Sequence, residues 1–252
     1  MKILASDFDG TIYFMKEENP FKEKDIKAIL EFQGSGNKFG ICTGRPLLGI
    51  VEPTNGIINY DFYILNTGSY ILDKDFKVIF KKCINKTIIK KVIEDTNFDE
   101  GIHLAGVKDI HLLTDMPGWP DDVKHVDNID DIDDEILGFS LHINNNLAKA
   151  NKLVNFININ YPELNAFQNK SDIDIVASGC SKAHGIEIIS QYYNVNKEYM
   201  SCIGDSYNDM PMLEALSNSY TFNSSPLEVK EVSTYTVDSV NECIENIKKG
   251  DC

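Results

Sequence analysis

Short apolar runs alternate with amphipathic stretches from the first residues onward. Ile3, Leu4 and Ala5 form a run that reads as a buried strand, with Asp7 and Asp9 following at its carboxyl end. Ile26, Ile29 and Leu30 recur at helical spacing and predict a helix over about residues 21–33. Gly34, Gly36 and Gly40 precede a strand instead of following one, so they read as a helix C-cap and turn, not as a dinucleotide loop. Phe39 to Cys42 and Phe62 to Leu65 are the next strands. Pro46 suits the first turn of a helix, which puts Thr43, Gly44 and Arg45 between a strand end and a helix N-terminus. Strand, helix, strand, helix, strand with short links predicts a doubly wound α/β fold with a parallel sheet. Further on, Ser181 opens a helix carrying Ile186, Ile188, Ile189 and Tyr193 on its apolar side. Met200 to Ile203 is another buried strand, and Tyr220–Phe222 and Tyr235–Val237 extend the sheet.

Between Val78 and Ala177 the pattern changes. Val78 to Phe80 is strand-like, and Thr87 to Thr96 is helical, with Ile88, Ile89, Val92 and Ile93 on one side. Ile110–Leu113, Ile136–Ile143 and Ile173–Val176 read as strands, and Ala148–Ile159 as a helix. No polar strand ends converge here, which predicts a separate α+β unit. The acidic run from Ile129 to Glu135 reads as a solvated turn. Trp119, the only tryptophan, lies on the Pro- and Gly-punctuated loop Thr114–Pro120. Packing is its simpler role, and stacking on a substrate is the alternative.

Ligands of a doubly wound sheet bind beyond the carboxyl ends of its strands. Asp7, Asp9, Thr43 and Asn66 all fall at such ends, and Gly10 provides a turn that can bring the first two carboxylates near one point. Two like charges so close raise one pKa unless a cation lies between them. The pair therefore suits either an acid beside an anionic nucleophile or half of a hard-metal site. Gly204-Asp205-Ser-Tyr-Asn208-Asp209 follows another strand and reads as a second metal-binding corner.

Composition narrows the classes. The 252 residues are 42% hydrophobic and 25% charged, ordinary for a soluble protein with one large domain or a core and a smaller companion. No apolar run approaches the ~20 residues of a membrane span, and the N-terminus lacks a signal-peptide hydrophobic region. The six cysteines show no CxxC or zinc spacing, and Cys42 and Cys202 sit in apolar runs, so a reducing cytoplasm is expected. A net charge of −15 argues against nucleic acid and anionic membranes as partners. It also means that an anionic substrate needs a local cation. Arg45 is the one arginine among 24 basic residues, which hints at a site that needs a planar fork for phosphate or carboxylate.

Four stations together resemble the haloacid dehalogenase (HAD) superfamily of phosphotransferases: Asp7-Phe-Asp9-Gly10-Thr11, Thr43 after a strand, Lys182 before a helix, and Gly204-Asp205-Ser-Tyr-Asn208-Asp209. The long interval between Thr43 and Lys182 marks an insertion there, where Cof-like sugar-phosphate phosphatases of that superfamily carry an α/β cap. The resemblance implies a Rossmann-like core at 1–80 and 178–252 with an inserted α+β cap at 81–177. Ser181-Lys182-Ala-His184 departs from the family's usual Ser-Lys-Gly.

The resemblance further implies a Mg²⁺-dependent phosphatase acting on a small phosphorylated metabolite through an aspartyl phosphate on Asp7, with Asp9 as acid and base. Mg²⁺ would be held by Asp7, Asp205 and the carbonyl of Asp9, with Asp209 orienting its waters. Thr43 and Lys182 would grip phosphoryl oxygens with help from backbone near Gly10 and Gly44. Asn208 would steady Lys182 or the nucleophile, and Arg45 and Asn66 would face the substrate. His184 is expected to be an exposed helix residue, and selectivity is expected in the cap. A phosphomutase or phosphotransferase, or a non-catalytic metabolite-binding module, are the competing readings. The expected state is a monomer or small homo-oligomer.

Overall fold

The centre of the core is β1 (Ile3–Ser6), all four of whose residues are buried, as a parallel strand covered on both faces requires. The computed structural model describes residues 1–119, 123–144, 146–169 and 172–250. After β1 come α1 (Glu23–Gly34), β2 (Lys38–Cys42), α2 (Leu48–Thr54), β3 (Phe62–Leu65), β4 (Tyr70–Asp73) and β5 (Val78–Lys81). Next are α3 (Lys86–Thr96), β6 (Gly101–Gly106), β7 (Ile110–Leu112), β8 (Lys124–His125), β9 (Ile136–His142), α4 (Leu147–Asn160), β10 (Leu164–Asn169) and β11 (Asp172–Ala177). The chain finishes with α5 (Lys182–Tyr193), β12 (Met200–Ile203), α6 (Met210–Ala215), β13 (Asn218–Phe222), α7 (Leu227–Val232), β14 (Tyr235–Val237) and α8 (Val240–Lys249).

Two compact units result, Met1–Phe80 with Ser181–Cys252, and Lys81–Cys180. The second crossing therefore falls after Cys180, not after residue 177. Ser178 donates to Glu163 O and accepts from Lys82 Nζ, and Cys180 O accepts from Asn165, so these residues are bound into the inserted unit.

In the core, the described strands form one sheet in the order β14-β13-β12-β1-β2-β3-β4-β5. The pairs from β14 across to β3 are parallel, and β4 returns antiparallel on β3. Side chains alternate between two apolar layers. Leu4, Phe39, Ile41, Tyr63 and Leu65 join the layer containing Ile29 and Phe32 of α1 and Ile244 and Ile247 of α8. Ile3, Ala5, Cys42, Phe62 and Ile64 join the layer containing Ile186 and Ile189 of α5 and Met212 of α6. α8 shows how sequence dictates this: Val240, Cys243, Ile244 and Ile247 make one buried stripe, Ser239 caps its start and Gly250 its end. Asp25 of α1 accepts from Asn241 N at 2.8 Å, joining the two helices on that face. No helix among the described residues is long and apolar enough to cross a membrane.

The inserted unit's described strands form a second sheet, β10-β11-β9-β6-β7-β8, antiparallel except where β7 meets β8. α4 is fastened to it by Asn158, which takes Ala166 N and gives to Ala166 O. Tyr161 at the end of α4 donates to Asp95 of α3. The acidic run is less solvated than expected. Ile129 and Ile132 are buried, and Asp134 accepts from the backbone N–H groups of Lys108 and Asp109. β4, β6 and β10 were not legible as strands, and α2 begins at Leu48 instead of at Pro46.

Candidate active site

Each station lies where a buried strand or helix start fixes the backbone. Asp7 continues the β1 pairing by donating its N–H to Ile203 O at 2.9 Å. Thr43, just past β2, donates to Ile64 O and accepts from Thr67 N. Lys182 is the first residue of α5, behind Ser181, whose hydroxyl caps the helix by accepting from His184 N. Gly68 packs its α-carbon so tightly that a Cβ there would lie 2.2 Å from Ser181 O. That close approach sets the Lys182 loop against the end of β3.

Lys182 is fully buried and donates Nζ to Asp7 Oδ1 at 2.6 Å and to Asp209 Oδ1 at 2.5 Å. The other oxygen of Asp209 accepts from the backbone N–H of Asp205 and of Ser206, both at 3.0 Å. Ser206 and Asp209 thus form a capping box, which shapes the loop after β12. Gly204 leaves room for it, since a Cβ at that position would lie 2.4 Å from Asp209 Cγ. The Asp205 carboxylate lies within 3.5 Å of the Thr11 hydroxyl, and Gly10, at φ +81°, passes too close to Asp205 Oδ2 to carry a side chain. One oxygen each from Asp7, Asp205 and Asp209 lie within 4.8 Å of one another.

The electrostatics follow from burial. Loss of solvent, then the charge of Asp209, push Asp7 up to about 7 against the opposing pull of Lys182, and Asp9 adds a smaller push. Burial also raises Asp209, with Lys182 opposing. For Lys182 burial disfavours the ammonium, but Asp209 and Asp7 outweigh it and hold its pKa well above the usual lysine value. Burial raises the Cys42 and Cys202 thiols, which are packing residues and not nucleophiles.

The remaining predicted residues fall into place unequally. Asp9 gives both oxygens to Arg45, accepting from Nε at 2.6 Å and from Nη2 at 2.7 Å. The guanidinium also donates to Gly49 O and lies over the rings of Phe8 and Tyr13. The lone arginine therefore grips a carboxylate of this chain, where the sequence suggested the substrate side. Lys182 is held by Asp209 and not by Asn208, which is buried in the short turn Tyr207–Asp209. Gly44 is a half-buried bend residue between Thr43 and Arg45. Asn66 is buried at φ +45°, and neither its Nδ2 nor its Oδ1 has a partner among the described residues. His184 is half-buried, its ring set edge-on to Phe80.

Acidic residues at the ends of β1 and β12, a buried lysine opening α5, and an α+β insertion between β5 and α5 define a class of hydrolase. The chain belongs to the haloacid dehalogenase-like hydrolase family, whose model matches residues 4–245. An uncharacterised protein of Mycoplasma capricolum subsp. capricolum is 27% identical over 96% of this chain and 98% of its own length. YcsE of Bacillus subtilis, named a 5-amino-6-(5-phospho-D-ribitylamino)uracil phosphatase, is 23% identical over 95% of this chain and 90% of its own length. Among solved structures, the HAD subclass IIB sugar phosphatase BT4131 superposes with a TM-score of 0.79 at 19% identity, covering 100% of this chain and 99% of that one. The fold is shared, with an inserted cap.

Proposed function

We propose that this protein is a Mg²⁺-dependent phosphatase that hydrolyses a small phosphorylated metabolite through an aspartyl phosphate on Asp7. The observation that carries the reading is the buried Asp7–Lys182–Asp209 group beside Asp205, a nucleophile with a fixed cation at its flank. Phosphatase names among its relatives support the same class.

The donor set suits a hard divalent cation: the Asp7 and Asp205 carboxylates converge, and Asp7 is driven up to about 7 by burial and Asp209 despite Lys182, a strain that a further cation relieves. Asp7 and Asp205 with the carbonyl of Asp9 would hold Mg²⁺. The ion supplies charge neutralisation at the phosphoryl oxygens. Asp209 is committed to Lys182 and the loop N–H groups, so it positions these neighbours.

A phosphate monoester repels nucleophiles by its charge, so positioning and neutralisation dominate catalysis. A carboxylate oxygen of Asp7 attacks phosphorus as the ester P–O bond breaks, and a proton from Asp9 goes to the leaving oxygen. Water then attacks phosphorus, the bond to Asp7 breaks, and the water's proton returns to Asp9. For that exchange Asp9 must free one oxygen from Arg45. Lys182 and Thr43 hold phosphoryl oxygens.

Hydrolysis of p-nitrophenyl phosphate tests the reading. Activity should vanish with EDTA, return with Mg²⁺, and be lost in Asp7→Asn. Full turnover by Asp7→Asn would overturn the mechanism.

A further inference from the structure

The inserted unit's sheet has two chemically different faces. Ile102, Leu104, Phe139, Leu141, Ile173 and Ile175 are register neighbours on one face, and all are buried. The opposite face carries a polar ladder: His103 beside Ser140 beside Asp174, and Gly101 beside His142 beside Asp172. Ser140 Oγ donates to Asp174 Oδ1 at 2.8 Å and Asn169 Nδ2 donates to Asp174 Oδ2, so hydrogen bonds account for that part of the ladder. The histidines offer a different chemistry.

Two imidazoles face each other across β6 and β9. His142 Nε2 lies 2.8 Å from His103 Nδ1, and Asp172 Oδ1 lies 3.2 Å from His142 Nδ1. With both rings neutral, Asp172 can only accept, so His142 carries its hydrogen on Nδ1 and its Nε2 accepts from His103 Nδ1. A carboxylate on one ring nitrogen, with the other presented to a second imidazole, is the outer shell of a metal-bound histidine. Zn–N bonds of about 2.0–2.1 Å at a tetrahedral angle set two ligand nitrogens about 3.3 Å apart, so the pair must open by about half an ångström. His142 has room for that, since its side chain is 24% exposed. The loop after β7 brings Trp119 to the same place, its ring 4.7 Å from His103 and 5.9 Å from His142. Nitrogen donors also separate this pair from the all-oxygen Asp7–Asp205 corner: carboxylates suit Mg²⁺, whereas imidazoles prefer late first-row ions.

We propose that His103 and His142 form a binding site for a late first-row divalent ion such as Zn²⁺, with His103 Nδ1 and His142 Nε2 as its ligands. Asp172 is the positioning residue, holding the hydrogen of His142 on Nδ1 so that Nε2 points its lone pair at the ion. Water completes the coordination, because no third histidine, cysteine or carboxylate joins the pair among the described residues. Binding releases no proton: the hydrogen on His103 Nδ1 moves to Nε2 of the same ring, and the freed Nδ1 lone pair takes the ion. The site lies wholly within the inserted unit and stands independently of the phosphatase reading.

The test uses the full chain, stripped with EDTA and returned to excess Mg²⁺ so that the carboxylate corner is supplied. With ¹⁵N-labelled histidine, Zn²⁺ should convert His103 from its Nδ1–H to its Nε2–H form and shift the Nε2 resonance of His142, and Ca²⁺ should do neither. Ni²⁺ shares the preference for imidazole and quenches indole emission, and Trp119 is the only tryptophan of the chain. Ni²⁺ should therefore dim the protein's tryptophan fluorescence, and Zn²⁺ should restore it by competition. His103→Asn and His142→Asn should each abolish the quenching, and Asp172→Asn should weaken Zn²⁺ binding by roughly 10- to 100-fold. A His103 that keeps its hydrogen on Nδ1 in excess Zn²⁺, or quenching that survives His103→Asn, would overturn the site. Unchanged Zn²⁺ affinity in Asp172→Asn would overturn the positioning role. Should His103→Asn not fold, the tautomer of His103 in the wild-type chain decides alone.

Discussion

Arg45 holds Asp9 by two parallel N–H···O bonds of 2.6 and 2.7 Å, and the same guanidinium lies 5.2 Å from the centre of the Phe8 ring. A planar fork on a carboxylate fixes orientation as well as charge, which lysine cannot reproduce. If Asp9 protonates the leaving oxygen with one oxygen freed, the bond that Arg45 keeps to its other oxygen still aims it, and losing that aim must hurt most where the leaving group is basic. Arg45→Ala and Arg45→Lys should each lower kcat on a sugar phosphate by roughly 10²-fold, within the range for misplaced general acids. On p-nitrophenyl phosphate, whose phenolate leaves readily, the loss should be within about tenfold. Equal losses on both esters would remove Asp9 from proton transfer.

Lys182 satisfies two buried carboxylates at once, so removing it leaves Asp7 and Asp209 facing each other. Breaking such a group by deleting one partner costs about 3–5 kcal/mol. Lys182→Met should show that loss in urea unfolding without metal, and Lys182→Met with Asp209→Asn should recover part of it. The pH dependence has a definite sign. Asp7 is raised from 3.8 to about 7 in the folded chain, so its contribution to stability is full below pH 4 and is lost as pH rises through about 7. The metal-free variant should therefore lose stability between pH 5 and pH 8 more steeply than wild type. The urea midpoint at the two pH values, in EDTA, measures it.

Much of this was legible in the chain. β1, β2, β3 and β12 are short apolar runs ending in polar residues, and the sheet needs no more than that pattern to bring Asp7, Thr43 and Asp205 to one edge. The lone arginine signalled a fork for carboxylate or phosphate, but its target depends on the turn at Gly10, which spacing does not encode. Asp209 was visible as an acid but not as the partner of Lys182, because that pairing joins two loops across the fold. β6 escaped because its alternation is short: only Ile102 and Leu104 mark the apolar face, between Gly101 and His103 on the other face and Gly106 at the end. The importance of Gly68 was hidden as well, since its neighbour Ser181 is remote in sequence.

His103 makes a separate acid limb. Burial, chiefly, and His142 lower its pKa from 6.5 to about 3, so the unfolded chain binds its proton first as pH falls. The stabilisation is full above pH 6.5 and is lost on the way down to pH 3. Relative to wild type, His103→Asn should flatten the fall in stability between pH 7 and pH 4 by roughly 1–3 kcal/mol. Parallel urea titrations at the two pH values read the difference, and identical slopes would mean that His103 titrates normally in the folded chain.

Gly68 and Gly56 separate backbone strain from contact. Both have left-handed φ, +86° and +82°, so alanine is strained at either position. At Gly56 a Cβ would meet nothing within 4 Å, whereas at Gly68 it would lie 2.2 Å from Ser181 O. Gly56→Ala should therefore cost about 1 kcal/mol, the conformational term alone. Gly68→Ala adds overpacking of about 1–3 kcal/mol and must move either β3 or the loop bearing Lys182. A shift of Ser181 displaces the ammonium that flanks Asp7, so Gly68→Ala should lose phosphatase activity out of proportion to its stability. Gly56→Ala should keep activity while folded. Urea midpoints and p-nitrophenyl phosphate rates on the two variants decide the matter, and a fully active Gly68→Ala would show that the Lys182 loop does not depend on this contact.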